Sequence, residues 1–144
     1  MSQKYVVACD ASEASQRALN LAVDLATSSG ASIMIAHVLE WSPYSFLTPM
    51  ELEERHKRRE EELDRAKTAL IDPLLESIKD SGIEVETTIR YGHVAETLSE
   101  IASKENATQL FVGRTGESTL ATRVFGSVVG TLAQITTVPC TIVP

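Results

Sequence analysis

At 144 residues the chain has the length of one ordinary domain, and its 43% apolar and 23% charged residues give a globular protein able to bury a core. A formal net charge of −7 excludes a protein that coats nucleic acid through its overall charge, because the phosphate backbone dominates such affinity. Two cysteines are too few for a disulfide-stapled secreted domain, and no run approaches the ~20 apolar residues of a membrane span, so a cytoplasmic protein is expected.

Tyr5–Cys9 is a continuous apolar run of strand length, as expected for a strand buried on both faces. Asp10-Ala11-Ser12-Glu13 reads as a helix start, with Ser12 or Asp10 as the N-cap. Ala18, Leu19, Leu21, Ala22, Leu25 and Ala26 then recur at helical spacing, and Gly30 closes the helix. Ser32–Val38 is the second strand, and residues 39–50, with Pro43 and Pro49, read as a loop.

From Met50 to about Ser81 the pattern is helical. Its first half is polar nearly all round; its second half buries Leu63, Ala66, Leu70, Leu74 and Ile78. Pro73 predicts a kink or break, with Asp72 as a new cap. Glu51/Arg55, Glu53/Lys57 and Glu54/Arg58 have the i,i+4 spacing of surface ion pairs. Ile83–Tyr91 alternates apolar and polar residues, which places that strand near a sheet edge. His93 is expected in the first turn of a helix that turns Val94, Leu98, Ile101 and Ala102 inward. Thr108–Val112 is a fourth strand, Gly113–Phe125 a loop, Ser127–Ile135 a helix and Val138–Val143 a last strand.

This βα alternation means a parallel sheet with helices on both faces. Ligands in such sheets bind beyond the carboxyl ends of the strands, where the winding reverses. In the order 3-2-1-4-5 that crevice lies between strands one and four, so Asp10 and Gly113 face each other across it. In the order 2-1-3-4-5 they do not. The expected fold class is α/β, an open five-stranded parallel sheet of order 3-2-1-4-5, Rossmann-like, forming one domain over 1–144.

After the fourth strand come Gly113, Gly116, Gly126 and Ser127, spaced Gly-x2-Gly-x9-Gly-Ser. Glycine lets backbone approach a ligand closely, and free N–H groups at a helix start, with a serine hydroxyl, suit phosphate oxygens. With Cys9-Asp10-Ala11-Ser12 after strand one and Val138-Pro139-Cys140-Thr141-Ile142-Val143 at the end, the whole chain resembles the universal stress protein family in its nucleotide-binding branch.

The resemblance implies ATP (or AMP) as ligand, with Mg or Mn held through the phosphates. Asp10 would bond the adenosine part, and Val38 would meet adenine through a backbone group. Gly113 and Gly116 would line ribose and phosphates; Gly126, Ser127 and Val128 would hold the phosphates. It also implies a homodimer through the last strand and a regulatory role in stress response with a protein partner. Ala11 replaces the family's usual glycine, and Pro144 follows the last strand.

Arg114 and Arg123 flank the motif and are candidates for phosphate contact. Gly-x4-Gly-Lys-(Ser/Thr) is absent, and so is Gly-x-Gly-x-x-Gly after strand one, which argues against a Walker-type NTPase and an NAD enzyme. His37, His56 and His93 show no metal spacing, and His37 reads as a satisfied structural histidine. Cys9 reads as a buried inert thiol, and no Cys9–Cys140 disulfide is expected with strand four between them. No catalytic residue is legible, so the alternative, a slow ATPase or nucleotidyl-transfer enzyme, ranks second. A phospho-receiver domain would need a lysine on strand five, and there is none.

Residues 113–144 carry only Arg114, Arg123 and Glu117, so the negative charge sits in the rest of the chain. Phosphates held there depend on backbone dipoles and a divalent cation rather than on lysines.

Overall fold

The five apolar runs become the five strands of one parallel sheet. The structure is a computed structural model; it describes residues 3–40, 48–115 and 125–144, with backbone alone at 125–127. The elements run β1 (Lys4–Ala8), α1 (Glu13–Ser29), β2 (Ser32–Glu40), α2 (Pro49–Ala66), α3 (Asp72–Ile78), β3 (Val85–Gly92), α4 (Val94–Lys104), β4 (Gln109–Gly113), α5 (Phe125–Ile135) and β5 (Cys140–Val143). The strand order is β3-β2-β1-β4-β5, and all four pairings are parallel.

Side chains alternate across the central strands and fill two cores. Tyr5, Val7, Ile33, Ile35 and Phe111 meet α1 and α3 on one face. Val6, Met34, Ala36, Leu110 and Val112 meet α4 and α5 on the other. Burial of each large side chain contributes about 1.5–3 kcal/mol, and the edge of the Tyr5 ring packs on Phe111 at 5.3 Å between centroids. Strand β3 is an edge strand, as its alternation predicts, with Glu86 and Thr87 exposed.

Helix α1 starts where the sequence says. Ser12 is the N-cap, and its side chain accepts the Ser15 N–H. Gly30 ends the helix at φ 76°, where its lack of a Cβ avoids the left-handed penalty, and its N–H donates to the Ala26 carbonyl at 2.8 Å. Leu25, expected inward, is 39% exposed.

Of the kink or break expected at Pro73, the long polar helix shows no break. Residues Lys67–Ile71 form a single π-helical turn, and Asp72 donates its N–H to the Lys67 carbonyl five residues back. Proline lacks an N–H and its ring collides with the carbonyl four residues earlier. The wider turn supplies the room. Asp72 is therefore helical rather than a side-chain cap. The inserted residue also rotates the apolar face, so Ile71, Leu74 and Ile78 are buried while Leu70 is only half-buried.

Further corrections are local. Strand β2 continues to Glu40, two residues beyond the expected end. His93 is the N-cap of α4, one position before its first turn, and is exposed. Helix α2 begins one residue early, with Thr48 and Glu51 closing a capping box. Glu51 is thus used at the cap, and among the described residues Lys57 and Arg58 form no ion pair.

Candidate functional site: the crevice between β1 and β4

From β1 the chain winds outward to β2 and β3, then returns past β1 to β4 and β5. The winding therefore reverses between β1 and β4. Their register runs from Tyr5↔Gln109 to Val7↔Phe111, so two residues further along lie Cys9 and Gly113. Open parallel sheets bind ligands in the crevice beyond the carboxyl ends of the two strands at such a point, here β1 and β4.

Asp10 stands at its β1 side, half-buried. Its Oδ1 accepts the Ser12 N–H at 2.8 Å and the Ser12 hydroxyl. Among the described residues Oδ2 takes no bond, so it is available to a hydroxyl or amine of a ligand. The buried Ser15 holds the same residue from behind: its hydroxyl donates to the Asp10 carbonyl at 2.8 Å and accepts the Asp10 N–H at 3.2 Å. A carboxylate so fixed is preorganised for an incoming partner.

Gly113 closes the β4 side. A Cβ there would lie 2.8 Å from the Ala14 carbonyl carbon and 2.9 Å from the Ser15 nitrogen. The first turn of α1 therefore rests directly on the Gly113 backbone. The first glycine of the motif has a packing function whether or not it also lines a ligand.

The β2 side is set by the end of the β1–β2 ladder. Register pairing ends at Ala8↔Ala36, followed by one more bond, Cys9 N–H to the Ala36 carbonyl at 2.8 Å. The Cys9 carbonyl accepts from His37 Nδ1 at 2.7 Å. His37 is thus a satisfied histidine with its Nδ1 protonated. Val38 follows it, half-buried against the α4–α5 core.

Beyond β4, Arg114 donates its N–H to the Val143 carbonyl at 2.7 Å and leaves its side chain exposed. Gly126, Ser127 and Val128 fall in the first described turn of α5 (Phe125–Ile135). First-turn N–H groups have no partner within their helix and carry the positive end of its dipole. Val128 is half-buried against the second core. Gly116 and Arg123 lie outside the described residues. So the structure brings Asp10, Val38, Gly113 and Arg114 to the same end of the sheet, on three neighbouring strands.

Burial pushes the Cys9 thiol up to about 12, with the Asp10 charge adding to the effect, which makes it a poor nucleophile. Burial also raises Cys140, and both cysteines are free. Among the described residues no three His, Cys, Asp or Glu side chains stand together to hold a metal ion.

Sequence reasoning missed Ser15 and the close approach over Gly113. A serine three residues after an N-cap serine carries no distinctive signal. It also missed Tyr91, at the end of β3, whose hydroxyl donates to Glu62 Oε2 at 2.9 Å while the Arg59 guanidinium lies 5.2 Å over its ring. Burial and the Glu62 bond push that phenol up to about 12. This clamp ties α2 to the sheet edge.

The strand order and the two helical layers define a doubly wound parallel α/β protein whose winding reverses between β1 and β4. Comparison with known proteins gives the family. Residues 1–144 match the model of the universal stress protein family. The universal stress protein YxiE of Bacillus subtilis is 29% identical, with 99% of each chain covered. Among solved structures, universal stress protein UspA from Lactobacillus plantarum is similar with a TM-score of 0.82 and 23% identity, covering 99% of this chain and 97% of that one. A universal stress protein in complex with cAMP is 27% identical with a TM-score of 0.68, covering 99% and 96%. The chain belongs to the universal stress protein family. No described helix is long and apolar enough to cross a membrane.

Proposed function

We propose that this chain is a single cytoplasmic domain that binds an adenine nucleotide, ATP or AMP, in the β1–β4 crevice and acts as a nucleotide-sensing regulator in stress response. The strand order carries the proposal, because β1 and β4 are neighbours and Asp10 and Gly113 end them. The similar structure in complex with cAMP supports an adenine ligand.

In this reading Asp10 Oδ2 accepts from the ribose, and backbone of Val38 meets the base. Gly113, Arg114 and Gly116 flank the ribose and phosphates. Gly126, Ser127 and Val128 bind the phosphates through the α5 N-terminus. Mg or Mn accompanies the nucleotide, held through its phosphates. Binding changes the contacts offered to a regulated protein. Strand β5 is an edge strand with Ile142 42% exposed, which supports a homodimer through it.

The test is calorimetry with ATP and Mg. Gly116→Val together with Gly126→Val abolishes binding while circular dichroism stays unchanged. Undiminished affinity of that double variant rejects the proposal, and mass spectrometry of ligand released from fresh protein names the nucleotide.

A further inference from the structure

The β1–β2 ladder stops one rung early, at the crevice. In β2, Ile33 donates its N–H away from β1, to Glu84 beside β3, while the Ala36 carbonyl accepts from Cys9 on the β1 side. Even-numbered residues of β2 therefore aim N–H and C=O at β1, and odd-numbered residues aim them at β3. By this pattern the next rung after Cys9 N–H to Ala36 is the Val38 N–H to the Cys9 carbonyl. That rung is not formed among the described residues. The Cys9 carbonyl is taken instead by His37 Nδ1 at 2.7 Å.

We propose that His37 is a positioning residue: by supplying the donor that satisfies the Cys9 carbonyl, it ends the ladder and releases the Val38 N–H toward the crevice. A buried carbonyl left without a donor is costly, so some group must serve Cys9. If the ring did not, the adjacent backbone donor would, and β1 and β2 would zip up by one more rung. That would draw Val38 against β1 and narrow the space past Asp10. The released N–H suits an acceptor nitrogen on a purine edge. Only this last step rests on the adenine-nucleotide reading; the ladder switch does not.

Amide hydrogen exchange of Val38, read by NMR on the ligand-free protein, tests it. In the wild type the Val38 amide exchanges as an unbonded one. In His37→Leu, which keeps bulk but no donor, it is slowed by about tenfold, the effect of one hydrogen bond. His37→Asn keeps a donor near Nδ1 and restores fast exchange. If the leucine variant does not fold, His37→Val serves the same purpose. A Val38 amide already protected in the wild type, or equally fast in both donor-free variants, overturns the proposal. Adding ATP with Mg separates the two levels. Slowing at Val38 in the wild type and Asn variant, with weaker binding in the Leu variant, supports both. The ligand-free pattern without any response to ATP supports the ladder role and rejects the nucleotide reading.

Discussion

The turn that carries Asp10 and the polar helix α2 are secured in opposite ways. The turn is held from three elements: His37 of β2 bonds the Cys9 carbonyl, Ser15 of α1 bonds both backbone groups of Asp10, and Gly113 of β4 seats the first turn of α1. Helix α2 has no buried residue in its 18, and the contact described between its side chains and the sheet is the Tyr91 clamp. A turn determined from several sides keeps a carboxylate in place without a ligand. A helix with no buried residue opens locally at low cost. Preorganisation is concentrated at the crevice, and compliance at the sheet edge.

The largest way to break this contrast is Gly113→Val. Its Cβ would sit 2.8–2.9 Å from backbone atoms of α1, so the helix must move. A loss of about 1–3 kcal/mol or more in chemical denaturation is expected. A neutral result would mean that α1 is not seated on β4. Next comes Ser15→Ala, which strips the Asp10 carbonyl and N–H of their partner inside the buried first turn. It costs about 1–3 kcal/mol and loosens Asp10, visible as faster exchange of the Asp10 amide.

Tyr91→Phe keeps the ring under Arg59 but removes the bond to Glu62. Global stability falls by only about 0.5–1.5 kcal/mol, while amide exchange in α2 quickens and that in α1 does not. Alkaline pH does the same to the wild type. The phenol is raised from 10.0 to about 12 in the folded protein, so the folded state holds its proton more tightly. The stabilisation is complete below pH 10 and is lost as pH rises toward 12. Ultraviolet titration shows a late-titrating tyrosine that is missing in Tyr91→Phe. The smallest effect belongs to Lys4→Gln. It breaks ion pairs to Glu86 and Glu105 at 3.1 and 2.8 Å on a partly exposed face, worth about 1 kcal/mol and weaker in salt.

The fold was legible because hydrophobic period alone separates strands from helices and marks β3 as an edge. Asp10 and Gly113 were legible as the ends of two apolar runs, and as a facing pair only on condition of the order 3-2-1-4-5, which the structure supplies. The π turn was not. Pro73 announces that a helix must adjust, yet whether it breaks or widens depends on what Ile71 and Leu74 find to pack against. His37 was legible as a satisfied histidine but not in its task, and Ser15 was not legible at all. Each bonds a main-chain group, and for His37 that group lies 28 residues away in sequence, where no side-chain pattern points to it. Gly113 matched a ligand motif, while its contact with α1 could be known only once β4 and α1 were packed together.

A preorganised crevice that takes an adenine nucleotide is the central claim, and an ATP titration followed by backbone amide NMR tests it most directly. The account predicts saturable shifts centred on Asp10, Val38, Gly113, Arg114, Gly116 and the first turn of α5, with α2 nearly silent. Absence of saturable shifts with ATP and AMP, or shifts centred on α2 and β3, would contradict it.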